Sequence, residues 1–315
     1  MEEQIQSAIT QTKQIIREVK KAVVGKDETV IKVLLAMLAG GHILIEDIPG
    51  VGKTTLALAI SKAMHLVHHR MQFTPDVMPA DVTGFTIYNK QTGSFDYKPG
   101  VVMCNLFLAD EINRTSSKTQ SALLEVMEEG SVTIDGVTRV LPKPFLVIAT
   151  QNPIGSVGTQ MLPESQLDRF MICISMGYPS HDAAVDILKE NASKPVASLQ
   201  EKISQEEFEQ LRKQTNDMFV HDSIYEYIVT LTEETRINPL FSMGASPRGS
   251  IALLRMAKAM AVLDNRDYVT PEDILAVLFD VLGHRVKLST KARAEGKTVK
   301  DALTQLWNGV KVPRT

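Results

Sequence analysis

What this chain lacks narrows it before any motif is read. It has two cysteines in 315 residues and no C-x-x-C pair. Cys104 and Cys173 both lie inside apolar runs, which makes them small buried hydrophobes rather than parts of a disulfide framework. It has no excess of positive charge: 34 Lys and Arg stand against 37 Asp and Glu, a net charge of −3. That balance argues against a surface that is wholly a nucleic-acid footprint. No apolar run reaches the roughly 18–20 residues that cross a bilayer. The opening MEEQIQSAIT has neither a basic n-region nor an apolar h-region, so no secretory signal is expected and the cytoplasm is the expected location. What remains, 44% hydrophobic and 23% charged, is an ordinary globular composition. At this length two domains are the default expectation.

Residues 4–22 place Ile5, Ile9, Ile15, Ile16, Val19 and Val23 at about helical spacing, and a second helix is expected over Glu28–Leu38, stopped by Gly40-Gly41. From there to about residue 176 short apolar runs alternate with helical patterns. The runs HILIED, HRMQF, NLFLAD, FLVIAT and MICISM are the five strands a parallel sheet with crossover helices needs. Two stretches interrupt the alternation. GFTIYNKQTGSFDYKPG (84–100) reads as a hairpin around a Gly-containing turn, and GSVTIDGVTRVLP (130–142) as a second one turning at Asp135-Gly136. Beyond Pro179 the pattern is helical with no convincing strand. The chain is therefore expected to comprise an α/β core over 1–178 and an all-α domain over 179–315, with the boundary near 177–180.

The stretch IEDIPGVGKTTLALAI (45–60) has a strand end, a glycine turn and a helix start. Such a turn directs backbone N–H groups inward at the positive end of a helix, the requirement for cradling phosphate. Across Pro49-Gly50-Val51-Gly52-Lys53-Thr54-Thr55 the two glycines let backbone approach phosphate oxygens and Pro49 stiffens the turn. Lys53 would reach the β- and γ-phosphates and the Thr54 hydroxyl would hold Mg²⁺. Asp47 stands where a first glycine is usual; lying at the strand end, its side chain can point away from the phosphates. NLFLADEINR (105–114) ends an apolar strand in two carboxylates. Asp110 suits the outer shell of the metal and Glu111 suits a base that orients and deprotonates water. FLVIATQNP ends in Gln151 and Asn152, which sets Asn152 beside the γ-phosphate if the strands are parallel.

With these motifs in place, the sequence resembles the MoxR family of AAA+ ATPases, related to magnesium-chelatase motor subunits. The resemblance runs through VVGKDETV, LIEDIPGVGKTT, QFTPDVMPADVTG, LFLADEINR, IATQNP, LPESQLDRF and GASPRGS in that order, and it covers nearly the whole chain. It implies a P-loop core with a helix-two insert and a pre-sensor hairpin, a helical lid, ATP and Mg²⁺ as ligands, and a homo-oligomeric ring, usually a hexamer. On the family's pattern Asn152 is the first sensor and Arg169 is an arginine finger acting in trans. Arg248 is the second sensor reaching ATP from the lid, while Val23, Val24 and Gly25 line the adenine pocket. Such proteins are expected to remodel protein partners, often carrying a von Willebrand factor A domain, in maturation or metal insertion.

Other features point less clearly. HLVHH (65–69) straddles a helix end and a strand start, a poor arrangement for shared metal ligation. Phe85, Tyr88, Phe95 and Tyr97 around the first hairpin suit either a grip on substrate or cross-strand packing. A nucleic-acid translocase is the alternative motor, but Arg139 and Lys143 are few basic residues for it. A non-hydrolysing nucleotide switch is the third reading; it has no need of both Glu111 and Asn152.

Overall fold

The structure, a computed structural model, describes residues 2–152, 161–189 and 196–313. Strands are numbered in chain order: β1 (Ile43–Glu46), β2 (His68–Gln72), β3 (Gly84–Asn89), β4 (Ser94–Pro99), β5 (Leu106–Asp110), β6 (Ser131–Ile134), β7 (Val137–Val140), β8 (Leu146–Gln151) and β9 (Ile172–Ile174). The five apolar runs form one parallel sheet in the order β2-β5-β8-β1-β9. β3 with β4, and β6 with β7, are the two expected antiparallel hairpins. Tyr88 faces Phe95 across the first hairpin with ring centroids 5.3 Å apart, and the Arg139 guanidinium lies 4.0 Å from the Tyr97 ring centroid. These side chains are therefore cross-strand and hairpin-to-hairpin packing partners.

Continuous apolar strands arise because both faces of this sheet are covered. Alternate residues divide between two apolar layers. Ile43, Ile45, Leu106, Leu108, Leu146 and Ile148 belong to one. Leu44, Phe107, Ala109, Val147 and Ala149 belong to the other. The first layer is closed by helices α1 (Glu2–Lys20), α2 (Asp27–Leu38) and α3 (Lys53–Ala63). The second is closed by α5 (Ser117–Glu129), which follows the short α4 (Pro79–Thr83). Ser116 caps α5 by accepting from the Thr119 amide, and Gly130 ends it in the left-handed region. The edge strand β2, HHRMQ, is only partly buried, which a mixed polar sequence suits.

After α6 (Glu164–Leu167) and α7 (His181–Lys189), the helices α8 (Gln205–Asn216), α9 (Asp222–Ile237), α10 (Pro247–Leu263) and α11 (Pro271–Leu282) pack onto the first apolar layer, followed by α12 (Thr290–Ala294) and α13 (Val299–Gly309). This part is not wholly helical. β10 (Phe241–Met243) pairs antiparallel with β11 (Lys287–Leu288), seating Phe241 and Leu288 in the core. Three and two residues are too few to carry a strand periodicity, so the sequence pattern gave no sign of them.

One guanidinium fastens the helical part to the sheet. Arg285, just beyond α11, is 5% exposed. It donates from Nε to Asp168 Oδ1 at 2.9 Å, and to the carbonyls of Asp168 at 3.1 Å and Met171 at 3.0 Å. Ser246 Oγ, at the start of α10, donates to the other Asp168 oxygen at 2.7 Å. Removing one partner of such a pair leaves the other polar groups buried and unmatched. Arg285→Ala should therefore lower the unfolding free energy by about 3 kcal/mol. Arg285→Lys should recover little, since an ammonium cannot bracket the turn. A loss below about 1 kcal/mol in urea melts would remove this clasp from the stability account.

Candidate functional site

The carboxyl ends of β1, β2, β5 and β8 meet at one edge of the sheet, and β1 and β8 are neighbours whose chains leave towards opposite sides. Such a switch point opens a crevice by construction. The loop after β1 enters it. Gly50 and Gly52 adopt φ of +86° and +99°. A Cβ at Gly50 would meet nothing within 4 Å, and at Gly52 only a methionine methyl at 3.9 Å. It is thus the backbone conformation, not space, that requires glycine at these positions. Gly52 stands directly before α3, whose first residue is Lys53. The Lys53 ammonium donates to the carbonyls of Asp47 at 3.1 Å and Ile48 at 3.3 Å, so a fixed cation sits in the concavity of the loop.

Asp47 is a strut. Its Oδ2 accepts from the amides of Met176 and Gly177, at 2.6 and 2.7 Å, and from Ser175 Oγ at 3.0 Å; Oδ1 accepts from the Ile48 amide at 2.9 Å. Lys26 grips the same two residues from the other side, donating to the carbonyls of Met176 and Gly177 at 2.7 Å each. The side chain points away from the phosphate loop, as its strand-end position allowed. Burial alone would raise the Asp47 carboxyl, but the hydrogen bonds from Gly177, Ser175, Ile48 and Met176 outweigh it and hold it below the usual carboxylate range.

Pro49, Gly50, Gly52, Lys53, Thr54 and Thr55 line a cleft of about 370 Å³, with Asp110 and Glu111 across from them. A second cavity, of about 320 Å³, shares Gly50, Gly52 and Thr55 and adds Val23, Val24 and Val51. Gly25, expected beside them, is not in the lining of this cavity; it has φ +68° and packs against α7, where a Cβ on it would stand 2.5 Å from the Ala183 side chain. The polar and apolar cavities adjoin at those shared loop residues.

Thr150 organises the two carboxylates. Its hydroxyl donates to Asp110 Oδ1 at 2.6 Å and accepts from the Glu111 amide at 2.9 Å. Glu111 itself has φ +55°, an unusual conformation for a residue with a side chain. Its carboxylate accepts from Arg114 at 2.8 Å. Arg70 reaches from β2 to Asp110 Oδ2 at 2.7 Å. Asn152 follows β8 directly, and its carbonyl accepts from Asn113 Nδ2 at 3.1 Å. It is not among the residues lining the cleft.

Arg169 and Arg248 lie elsewhere. Both pair with Glu128, one on each carboxylate oxygen, beside a separate cavity of about 250 Å³ that His42 and Met171 also line. His42 and Met171 directly precede β1 and β9, so this cavity is at the amino ends of the strands. Glu128 is in the last turn of the 13-residue α5, about 16 Å along the helix from its first residue, Ser117. The sequence reading set Arg248 over the chain's own ATP. In the structure the clasp of Ser246 and Arg285 on Asp168 holds the start of α10 beside Arg169 instead.

Comparison with known proteins agrees with this architecture. The family model described as "ATPase family associated with various cellular activities (AAA)" matches residues 42–172, and the AAA lid domain model matches 233–306. The uncharacterized protein YeaC of Bacillus subtilis is 48% identical over 299 residues, covering 95% of this chain and 93% of that one. Chaperone MoxR1 of Mycobacterium tuberculosis is 38% identical over 308 residues, covering 95% and 81%. The chain belongs to the MoxR family of AAA+ ATPases. A crystal structure of a presumed ATPase from Cytophaga hutchinsonii superposes with a TM-score of 0.91 at 39% identity, covering 99% of this chain and 98% of that one.

For a MoxR-type crevice the chemistry of the donors suits Mg²⁺. Thr54 and Asp110 both line the cleft, and their hydroxyl and carboxylate are hard oxygen ligands. Arg70 and Thr150 escaped the sequence reading because each acts on a neighbouring strand. The signal was present as an arginine inside HRMQF and a hydroxyl ending FLVIAT.

Asp47→Asn keeps the shape of the strut but removes its charge. At neutral pH it should cost about 1–3 kcal/mol of stability, the range for disturbing a buried, charged hydrogen-bond acceptor. Because the folded pKa is depressed, the stabilisation is complete above the ordinary aspartate value of about 3.9 and is lost as pH falls through the folded value. The gap between wild type and variant should therefore narrow in acid. Urea melts at pH 7 and pH 3 that show a constant gap would assign the loss to something other than this charge.

Proposed function

We propose that this MoxR-family chain is a Mg²⁺-dependent ATPase that works as a ring and remodels protein partners. The observation that carries this reading is the division of its polar residues. One crevice brings together the phosphate loop, Asp110 and Glu111, while the two candidate transition-state arginines stand at the other end of the sheet. No arginine side chain spans that distance, so Arg169 and Arg248 serve the crevice of another copy. This supports a ring, although it does not fix the number of subunits.

In this reading adenine lies against Val23, Val24 and Val51, and the phosphates lie on the amides of Gly50 to Thr55 with Lys53 beside them. Thr54 and Asp110 would hold Mg²⁺, which would supply charge neutralisation at the phosphates. Glu111 orients water and accepts its proton, and its strained backbone, tied through Thr150 to Asp110, fixes where its carboxylate starts. The Arg114 contact must loosen for that step. Asn152 stands at the end of β8 outside the cleft lining, so a role at the water or the γ-phosphate requires its side chain to turn inward when nucleotide binds. Arg169 and Arg248 of a neighbour neutralise charge on the transferring phosphoryl group, an effect worth about 10³–10⁵ in rate for a finger of this type. The chaperone named in MoxR1 supports a protein client, and partners with a von Willebrand factor A domain are the class that the family resemblance favours.

Wild type should hydrolyse ATP at steady state, and Glu111→Gln should bind ATP with similar affinity and turn over at least about a hundredfold more slowly. Binding without turnover in wild type would instead favour a nucleotide switch. Mixing Glu111→Gln with Arg169→Ala should restore part of the activity, since some interfaces then join an intact base to an intact finger. No recovery in rings shown to contain both chains would exclude Arg169 from acting in trans.

A further inference from the structure

Glu128 is outside every motif, yet it touches both arginines. They come from different parts of the fold: Arg169 from the turn before β9, and Arg248 from the first turn of α10. Arg169 binds Oε2 and Arg248 binds Oε1 of the same carboxylate. The cavity beside them is also lined by Arg255 and Arg285. Asp168, the other carboxylate there, already takes Arg285 and Ser246. One carboxylate therefore serves two guanidiniums in a positively charged recess, and the N-terminus of the 17-residue α10 adds to that potential.

The position of Glu128 is itself fixed. The Val147 amide donates to His42 Nδ1 at 3.0 Å, which leaves the ring proton on Nε2 to donate to the Met127 carbonyl at 2.9 Å. This ties the last turn of α5 to β8, and Gly130 ends the helix two residues beyond Glu128. All three side chains remain reachable from solvent, at 38% exposure for Glu128, 31% for Arg169 and 43% for Arg248.

We infer that Glu128 is a positioning residue that holds Arg169 and Arg248 together as one phosphate-binding fork, occupying in the single chain the place that a phosphoryl group takes on assembly. A carboxylate and a phosphoryl group each offer two adjacent anionic oxygens, so a fork set by one accepts the other. Without the carboxylate the two cations repel and need an anion from elsewhere. Naming the neighbour's nucleotide as that anion rests on the ring reading; the existence of the fork does not.

The test uses inorganic pyrophosphate and the full-length chain, at a concentration where it sediments as a monomer. Lys53→Ala forms the background, so that the phosphate loop contributes little. Adding Glu128→Gln should tighten pyrophosphate binding about tenfold by calorimetry, the scale for releasing two part-exposed ion pairs. Adding Arg248→Ala as well should abolish the gain. Unchanged affinity in folded Glu128→Gln, or a gain that survives Arg248→Ala, would overturn the proposal. Failure of the ring reading would appear separately, as no recovery in the mixed rings.

Discussion

The crevice depends on how two residues, Met176 and Gly177, are held. Asp47 takes their amides and Lys26 takes their carbonyls, so opposite charges clamp one short piece of backbone from its two polar sides. That piece follows β9, Asp47 starts the phosphate loop, and Lys26 precedes α2 beside Val23 and Val24. Three segments far apart in sequence are thereby held together around one crevice. Both charged groups are buried, yet neither is left without partners, which is the condition under which burying charge is tolerable. A glycine at position 47 would leave the turn its freedom but remove the strut.

The carboxyl edge of the sheet is organised by a shorter chain of contacts. Thr150 binds Asp110 and the backbone of Glu111 at once, so the two carboxylates are positioned relative to each other by β8. Arg70 completes this from β2. With Asp110 held on both oxygens, its charge is partly compensated before any cation arrives. Metal binding at this carboxylate is then an exchange of partners, not the capture of a bare charge.

How much of this could be read from the sequence varied with the range of the interaction. The five sheet strands were legible because burial on both faces makes them continuous apolar runs. The hairpins were legible through their turns. The loop residues Gly50 to Thr55 and the pair Asp110-Glu111 gather in one crevice because parallel strands bring their carboxyl ends together. β10 and β11 left no periodicity to find. Asp47 could be placed off the phosphates, but its partners lie 128 to 130 residues away and carry no motif. The position of Arg248 depended on Arg285, an arginine in GHRVKL that nothing local distinguishes from a surface charge. Long-range polar contacts are set by packing, and packing is what a single sequence shows least.

The clasp at Asp168 gives the arrangement its mechanical logic. Arg285 binds carbonyls on both sides of Arg169, and Ser246 ties the start of α10, two residues before Arg248, to the same aspartate. The backbone that carries Arg169 and the start of α10 that carries Arg248 are thus tied to one aspartate. Any shift of the helices against the sheet would displace both guanidiniums together, at the end of the molecule remote from its own crevice. A ring built from such chains would couple one subunit's lid to the next subunit's chemistry through a rigid pair of charges. In the single chain an acidic partner close by, Glu128, pairs with both of its members.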